Sequence, residues 1–316
     1  MGKRHWFFLI SGLVILVGVI SLSAFGLRPG IEFSSGSIMT LSFEQTVGRE
    51  EMATLGHSEA IIQRTGGADF VIRTTELKPE VRDPVTGEVI TPAERDTIEQ
   101  ALRERFGQLT VLDFYSISPI VSAEIGRNSA IAVSVAAVAI LLYIAWAFHR
   151  LRRPMRPFNF GAAAVLALVH DVLVVLGIFS LLGWITGIEI DAMFITGVLT
   201  VIGYSVHDTI VVFDRIRENS TRYPGADLET TINISINETL GRSLNTSLTV
   251  LFVILALFLF GGMTIHNFVL VLLIGVIAGT YSSVCIASQL LVVWHNREVP
   301  RLLRRLRPRR VLVGGG

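Results

Sequence analysis

Ile190-Asp191-Ala192-Met193-Phe194-Ile195-Thr196-Gly197-Val198-Leu199-Thr200-Val201-Ile202-Gly203-Tyr204-Ser205-Val206-His207-Asp208-Thr209-Ile210-Val211-Val212-Phe213 is the stretch that decides the fold. It is long enough to cross a hydrocarbon core of about 30 Å, which takes roughly 20 helical residues. Yet it holds an acid, Asp208, inside the run. An ionised side chain at the centre of a lipid-embedded helix costs on the order of 3 kcal/mol on insertion scales, so each one needs a reason.

Working outward, five further runs have the length and apolarity of spans, at about 6–26, 127–149, 159–183, 238–262 and 267–292. The whole chain is 51% hydrophobic and only 17% charged, which excludes an ordinary soluble enzyme. The first run follows Lys3 and Arg4 and could be a cleaved signal, but it is longer than a usual signal core and five spans follow, so a retained helix is expected. Lys3 and Arg4, then Arg150, Arg152, Arg153 and Arg156, then Arg215, Arg217 and Arg222, and last Arg297 through Arg310 fall on one side of six alternating spans. By the positive-inside rule both termini are cytoplasmic.

The segment between the first two spans has the composition of a small water-soluble domain. The expected layout is a first transmembrane helix (1–27), an extracytoplasmic α+β domain (28–124), a five-helix transmembrane bundle (125–293) and a basic cytoplasmic tail (294–316). Alternation marks strands at Ser37–Phe43, Asp69–Thr74 and Leu109–Tyr115. Helices are expected at Arg49–Gln63 and Thr91–Phe106, the latter opening on a capping box with Thr91 and Glu94. Strand, helix, strand, helix, strand reads as a ferredoxin-like α+β sandwich, with Lys78–Ile90 as a turn-rich connector or added hairpin. The arginines at 301–310 suit anionic lipid headgroups, and no nucleic acid is expected as a partner.

Ionisable residues recur inside the spans: His170 and Asp171 in the third, His207 and Asp208 in the fourth, Arg242 in the fifth. If the fourth span surfaces near Asp214 and the fifth begins near Ile236, Asp208 and Arg242 lie about 9 Å deep at 1.5 Å per residue. At matched depth they could pair. Thr196, Thr200, Gly203 with Tyr204, and His207 with Asp208 share one side of the fourth span, and Arg242, Asn245 with Thr246, and Thr249 one side of the fifth; two such stripes meeting inside a bundle would make a hydrated path. Ser205, Ser243, Ser247 and the ladder Gly275, Gly279, Ser283 read as packing contacts between helices. For His170 and Asp171 both a packing role and a functional one stand open.

Cys285 is the only cysteine, so an intramolecular disulfide is impossible and a thiolate metal site lacks ligands. With no P-loop, nucleophile elbow or zinc signature, neither enzyme chemistry nor a cofactor or metal is expected.

Gly203-Tyr204-Ser205-Val206-His207-Asp208-Thr209, continuing to Phe213-Asp214-Arg215-Ile216-Arg217-Glu218-Asn219, resembles a signature of the SecD/SecF family of protein-export membrane proteins. Arg242-Ser243-Leu244-Asn245-Thr246-Ser247 and Ala167-Leu168-Val169-His170-Asp171 are similar to two more of its motifs. Gly30-Ile31-Glu32-Phe33-Ser34-Ser35-Gly36-Ser37 resembles the family's GIDFTGGT segment. Two departures stand out: His207 replaces the usual asparagine, and Glu32 to Ser35 alter the glycine-rich segment.

The resemblance implies half of an RND-type bundle in the bacterial cytoplasmic membrane, with a SecD partner supplying the other half. It implies proton-driven assistance to late stages of Sec-dependent translocation, protons being the coupling ion. It places proton transport on Asp208 and Arg242; the other polar residues within the spans, Asp171, His170, His207 and Thr246, are secondary candidates. The implied partners are SecD, the SecYEG translocon, YajC, YidC, an unfolded preprotein and the lipid bilayer. Half of an RND-type small-molecule or lipid exporter, or a non-energised scaffold of the Sec channel, are the alternatives.

Overall fold

In the computed structural model the described residues are 4–44, 61–66, 69–82, 89–148, 157–262 and 265–296. They fall into two compact units, Pro29–Ala130 and the combination of Met1–Arg28 with Ile131–Gly316. The helix expected over 49–60, the arginines at 150–156 and the basic tail at 301–310 lie outside the described residues.

The first unit is built on a four-stranded antiparallel sheet. Its strands are β1 (Gly36–Phe43), β2 (Ile61–Gly66), β3 (Asp69–Thr74) and β6 (Leu109–Ile117), in the order β2-β3-β1-β6. Since β1 and β2 are both antiparallel to the β3 between them, they run the same way, as in a ferredoxin-like sandwich. Alternation along β1 turns Met39, Leu41 and Phe43 into the core. There they meet Phe70 and Ile72 of β3 and Leu102 of the helix Glu94–Phe106.

Two expectations fail here. Residues 61–63 pair with β3 instead of ending a helix, because the β-branched Ile61 and Ile62 suit a pleated ladder. The capping box is also absent: Thr91 closes the short strand β5 (Val89–Thr91), which pairs with β4 (Val81–Arg82). Glu94 instead accepts the Lys78 backbone N–H at 3.0 Å, tying the helix to the connector.

Six helices are long and apolar enough to cross a membrane among the described residues. They are Arg4–Phe25, Pro119–Ala147, Pro157–Thr186, Ala192–Arg222, Leu228–Phe260 and a last one running from His266 through a π-helical turn at Ser283–Ala287 to His295. The fourth and fifth run well past their apolar cores. Ion pairs Asp214 to Arg217 and Arg215 to Glu218, each at 2.6 Å, hold the end of the fourth. Asp227 caps the fifth by accepting the Thr230 N–H at 3.3 Å.

Small residues decide how closely the spans approach. A Cβ on Gly177 would stand 2.5 Å from the Gly18 Cα, so the first and third spans touch backbone to backbone. Ser21 and Ser180 hydrogen-bond beside that crossing at 2.9 Å. Between the fourth and sixth spans, a Cβ on Gly275 would lie 2.1 Å from a Val201 methyl, and one on Gly279 3.0 Å from the Ser205 Cβ. Large apolar side chains such as Leu13, Leu16, Phe252 and Phe260 point outward, as a lipid-facing surface requires.

Candidate functional site

The glycine ladder of the sixth span is what assembles the site. By bringing that span against the fourth, it delivers Ser282 and Ser283, consecutive residues where the α-helix widens into the π turn. Such widenings occur mostly as single turns, frequently at functional sites. The two hydroxyls reach different acids.

Asp208 is buried on the fourth span. One carboxylate oxygen accepts the Ser243 hydroxyl of the fifth span at 2.6 Å, the other the Ser283 hydroxyl at 2.8 Å. Asp171 is buried on the third span at 1% exposure. Its Oδ1 lies 2.9 Å from His170 Nδ1, and its Oδ2 accepts Ser282 at 2.7 Å and Ser205 at 2.5 Å. Outside these contacts, Tyr204 donates to Ser247 at 3.0 Å and Thr280 donates to the same oxygen at 2.7 Å.

Neither acid has an arginine or lysine partner among the described residues. The expected pairing of Asp208 with Arg242 therefore does not form in this chain. The reason is angular: neighbouring helical residues diverge by about 100°. Ser243 faces the fourth span, so Arg242 faces outward and is exposed. His207, one residue from Asp208, is exposed for the same reason. Thr246 is exposed too, its hydroxyl donating to the Arg242 carbonyl at 2.9 Å.

The polar stripes drawn from the sequence do not meet inside the bundle: Asp208 is buried and Tyr204 half-buried, while the other members look outward. Thr196, Thr200, Gly203 and His207 are exposed along the fourth span, and Arg242, Asn245, Thr246 and Thr249 along the fifth. The threonine hydroxyls are satisfied by backbone carbonyls of the preceding turn. Of the serines read as packing contacts, Ser205, Ser243 and Ser283 touch the acids, while Ser247 accepts from Tyr204 and Thr280. Ser282 was overlooked altogether. Their signal in the sequence was weak, since a serine within a span also serves close packing.

A serine hydroxyl both donates and accepts, so such a shell suits either charge state of a carboxyl group. When the acid is ionised the hydroxyls donate to it; when it is protonated it can donate to one of them. No group of three or more His, Cys, Asp or Glu side chains placed to hold a metal occurs among the described residues.

Residues 97–297 match the family described as protein export membrane protein SecD/SecF, C-terminal, and residues 20–47 match the SecD/SecF GG motif. The chain is 46% identical over 315 residues to protein translocase subunit SecF of Thermobaculum terrenum, covering 96% of each chain. It is 33% identical over 306 residues to protein translocase subunit SecDF of Bacillus subtilis, covering 95% of this chain and 38% of that one. Among solved structures it is similar to SecDF of Thermus thermophilus, a translocon-associated membrane protein, with a TM-score of 0.78 and 33% identity. That match covers 94% of this chain and 38% of the SecDF chain, so this chain spans about two fifths of its structural relative.

Proposed function

Because this chain belongs to the SecD/SecF family of protein export membrane proteins, we propose that it is the SecF-type half of a SecD/SecF machine of the bacterial inner membrane. It assists Sec-dependent translocation and is not an enzyme. In this reading Asp208 takes up and releases protons as they move down their gradient. Each charge that crosses 100 mV supplies about 2.3 kcal/mol, enough to bias a conformational equilibrium and too little to unfold a substrate at once. Repeated cycles follow from that size.

The observation that carries the proton reading is the setting of Asp208: buried, and held by two hydroxyls with no arginine or lysine partner among the described residues. The outward stripe bearing His207 and Arg242 supports the need for a partner, because polar side chains exposed on a span call for protein or water against them. A SecD-type chain is that partner, with Arg242 meeting its groups across the contact. Both termini are cytoplasmic, the α+β unit works outside the membrane on an emerging preprotein, and the complex operates beside SecYEG, with YajC and YidC as further neighbours.

Asp208→Asn tests this. Export into energised vesicles should lose its proton-dependent stimulation while the variant still co-purifies with its SecD-type partner and keeps its thermal stability. Full stimulation by the variant refutes the proton role and leaves a scaffold. Transport of a small molecule or lipid unaccompanied by any effect on export would favour the exporter alternative.

A further inference from the structure

Ser282 and Ser283 share more than their position. Besides its acid, each hydroxyl has one other acceptor among the described residues, and it is the same atom. Ser282 Oγ lies 3.2 Å from the Gly279 carbonyl oxygen, and Ser283 Oγ also reaches that oxygen. The backbone N–H of Ser283 bonds there as well. A carbonyl oxygen has two lone pairs, so one remains for two hydroxyls, each of which has a single hydrogen to give.

We propose that Asp171 is a second proton-holding acid, and that Asp171 and Asp208 compete, through Ser282 and Ser283, for the one spare lone pair of the Gly279 carbonyl, so that a proton on one disfavours a proton on the other. This rests on Asp208 being the proton carrier proposed above. When Asp208 gains a proton, its O–H donates to Ser283 Oγ and the Ser283 hydrogen swings to Gly279. Ser282 then has no second acceptor and keeps donating to Asp171 Oδ2, which favours the ionised acid. When Asp171 gains the proton, Ser282 turns to Gly279 and Ser283 returns to Asp208. Only O–H bonds form and break; the proton comes from water and goes back to it.

Access to Asp171 has its own geometry. A cavity of about 360 Å³ among the first, third and sixth spans has His170, Ser11 and Tyr281 as the polar members of its wall. His170 Nδ1 touches Asp171 from the same span, so the cavity wall connects to an acid that is itself enclosed. The other titratable groups nearby are Tyr281 and Cys285 of the sixth span. The exposed His207 and Arg242 belong to the outer faces of the fourth and fifth, and the first span contributes the Ser11 hydroxyl to the cavity.

Infrared difference spectroscopy of the full chain, assembled with its SecD-type partner in vesicles and cycled between acid and neutral pH, reads the carboxyl bands directly. Two bands are expected, one lost in Asp171→Asn and one in Asp208→Asn. The side-chain amide of Asp208→Asn donates to Ser283 as a protonated acid would, so this variant should also weaken the Asp171 band. Adding Ser283→Ala, which removes the competing hydroxyl, should restore it. An Asp171 band that ignores Asp208→Asn overturns the competition, and Asp171→Asn removing no band overturns the second site; in either case Asp208 can remain a carrier. Absence of an Asp208 band overturns the proton reading itself. Ser283→Ala alone, which leaves both acids in place, should strengthen the Asp171 band at acid pH; this keeps the test decisive if an asparagine variant fails to assemble, and an unchanged Asp171 band overturns the competition.

Discussion

Ser243 places its hydroxyl 2.6 Å from the Asp208 carboxylate, and in doing so takes the position that matched depth alone would assign to its neighbour Arg242. The consequence for stability is asymmetric. Ser243→Ala removes a hydrogen bond to a charged group, worth about 1.5 to 3 kcal/mol, and leaves a buried acceptor short of a donor. Arg242→Gln removes an exposed charge and should change stability by about 0.5 kcal/mol or less. Thermal unfolding of the purified chain in detergent distinguishes the two, and equal losses would mean that Arg242 supports Asp208 after all.

Gly177 leaves no room for a side chain against Gly18. Gly177→Leu should push the first span off the third, an overpacking cost of about 1 to 3 kcal/mol. Cysteines replacing Ser21 and Ser180, whose hydroxyls lie 2.9 Å apart, should cross-link readily in the parent chain. The same pair should cross-link poorly once Gly177 is replaced; undiminished cross-linking would contradict the backbone contact.

Ser35 has φ 61° and ψ 167°, a region that is essentially reserved for glycine. It stands where the resembled GIDFTGGT pattern has a glycine. Ser35→Gly should therefore relieve strain, raising stability by roughly 1 kcal/mol after the larger entropy of the unfolded glycine chain is deducted. Slower hydrogen exchange along β1 in the variant is the expected readout.

Asp227 caps the fifth span, and the Thr230 side chain, followed by the Thr230 backbone N–H, holds its carboxyl below the ordinary value of 3.8. A lowered acid contributes stability that is present above the unfolded value and disappears as pH falls through the folded one. Amide exchange at Thr230, corrected for its intrinsic pH dependence, should accelerate as pH drops below about 3.8. Asp227→Asn, which still caps but does not ionise, should flatten that dependence.

Much of this was legible in the residues. Six spans, the strands at 37–43, 69–74 and 109–115, and the acids lodged in the third and fourth spans all follow from local properties. Hydropathy over about 20 residues, alternation over a few, and the cost of a charge in lipid act along a short stretch of chain. The strand at 61–66 escaped because its pairing with β3 decides it more than its own pattern does.

Facing belonged to the tertiary structure. Turning a helix by one residue, about 100°, exchanges Arg242 for Ser243, and depth cannot distinguish them. Contacts elsewhere made that choice: Gly275 and Gly279 let the sixth span close on Val201 and Ser205, and the π turn then aims Ser282 and Ser283 at separate acids. Hydrogen bonds between spans depend on approach distances of tenths of an ångström, and those emerge only when all the helices pack together.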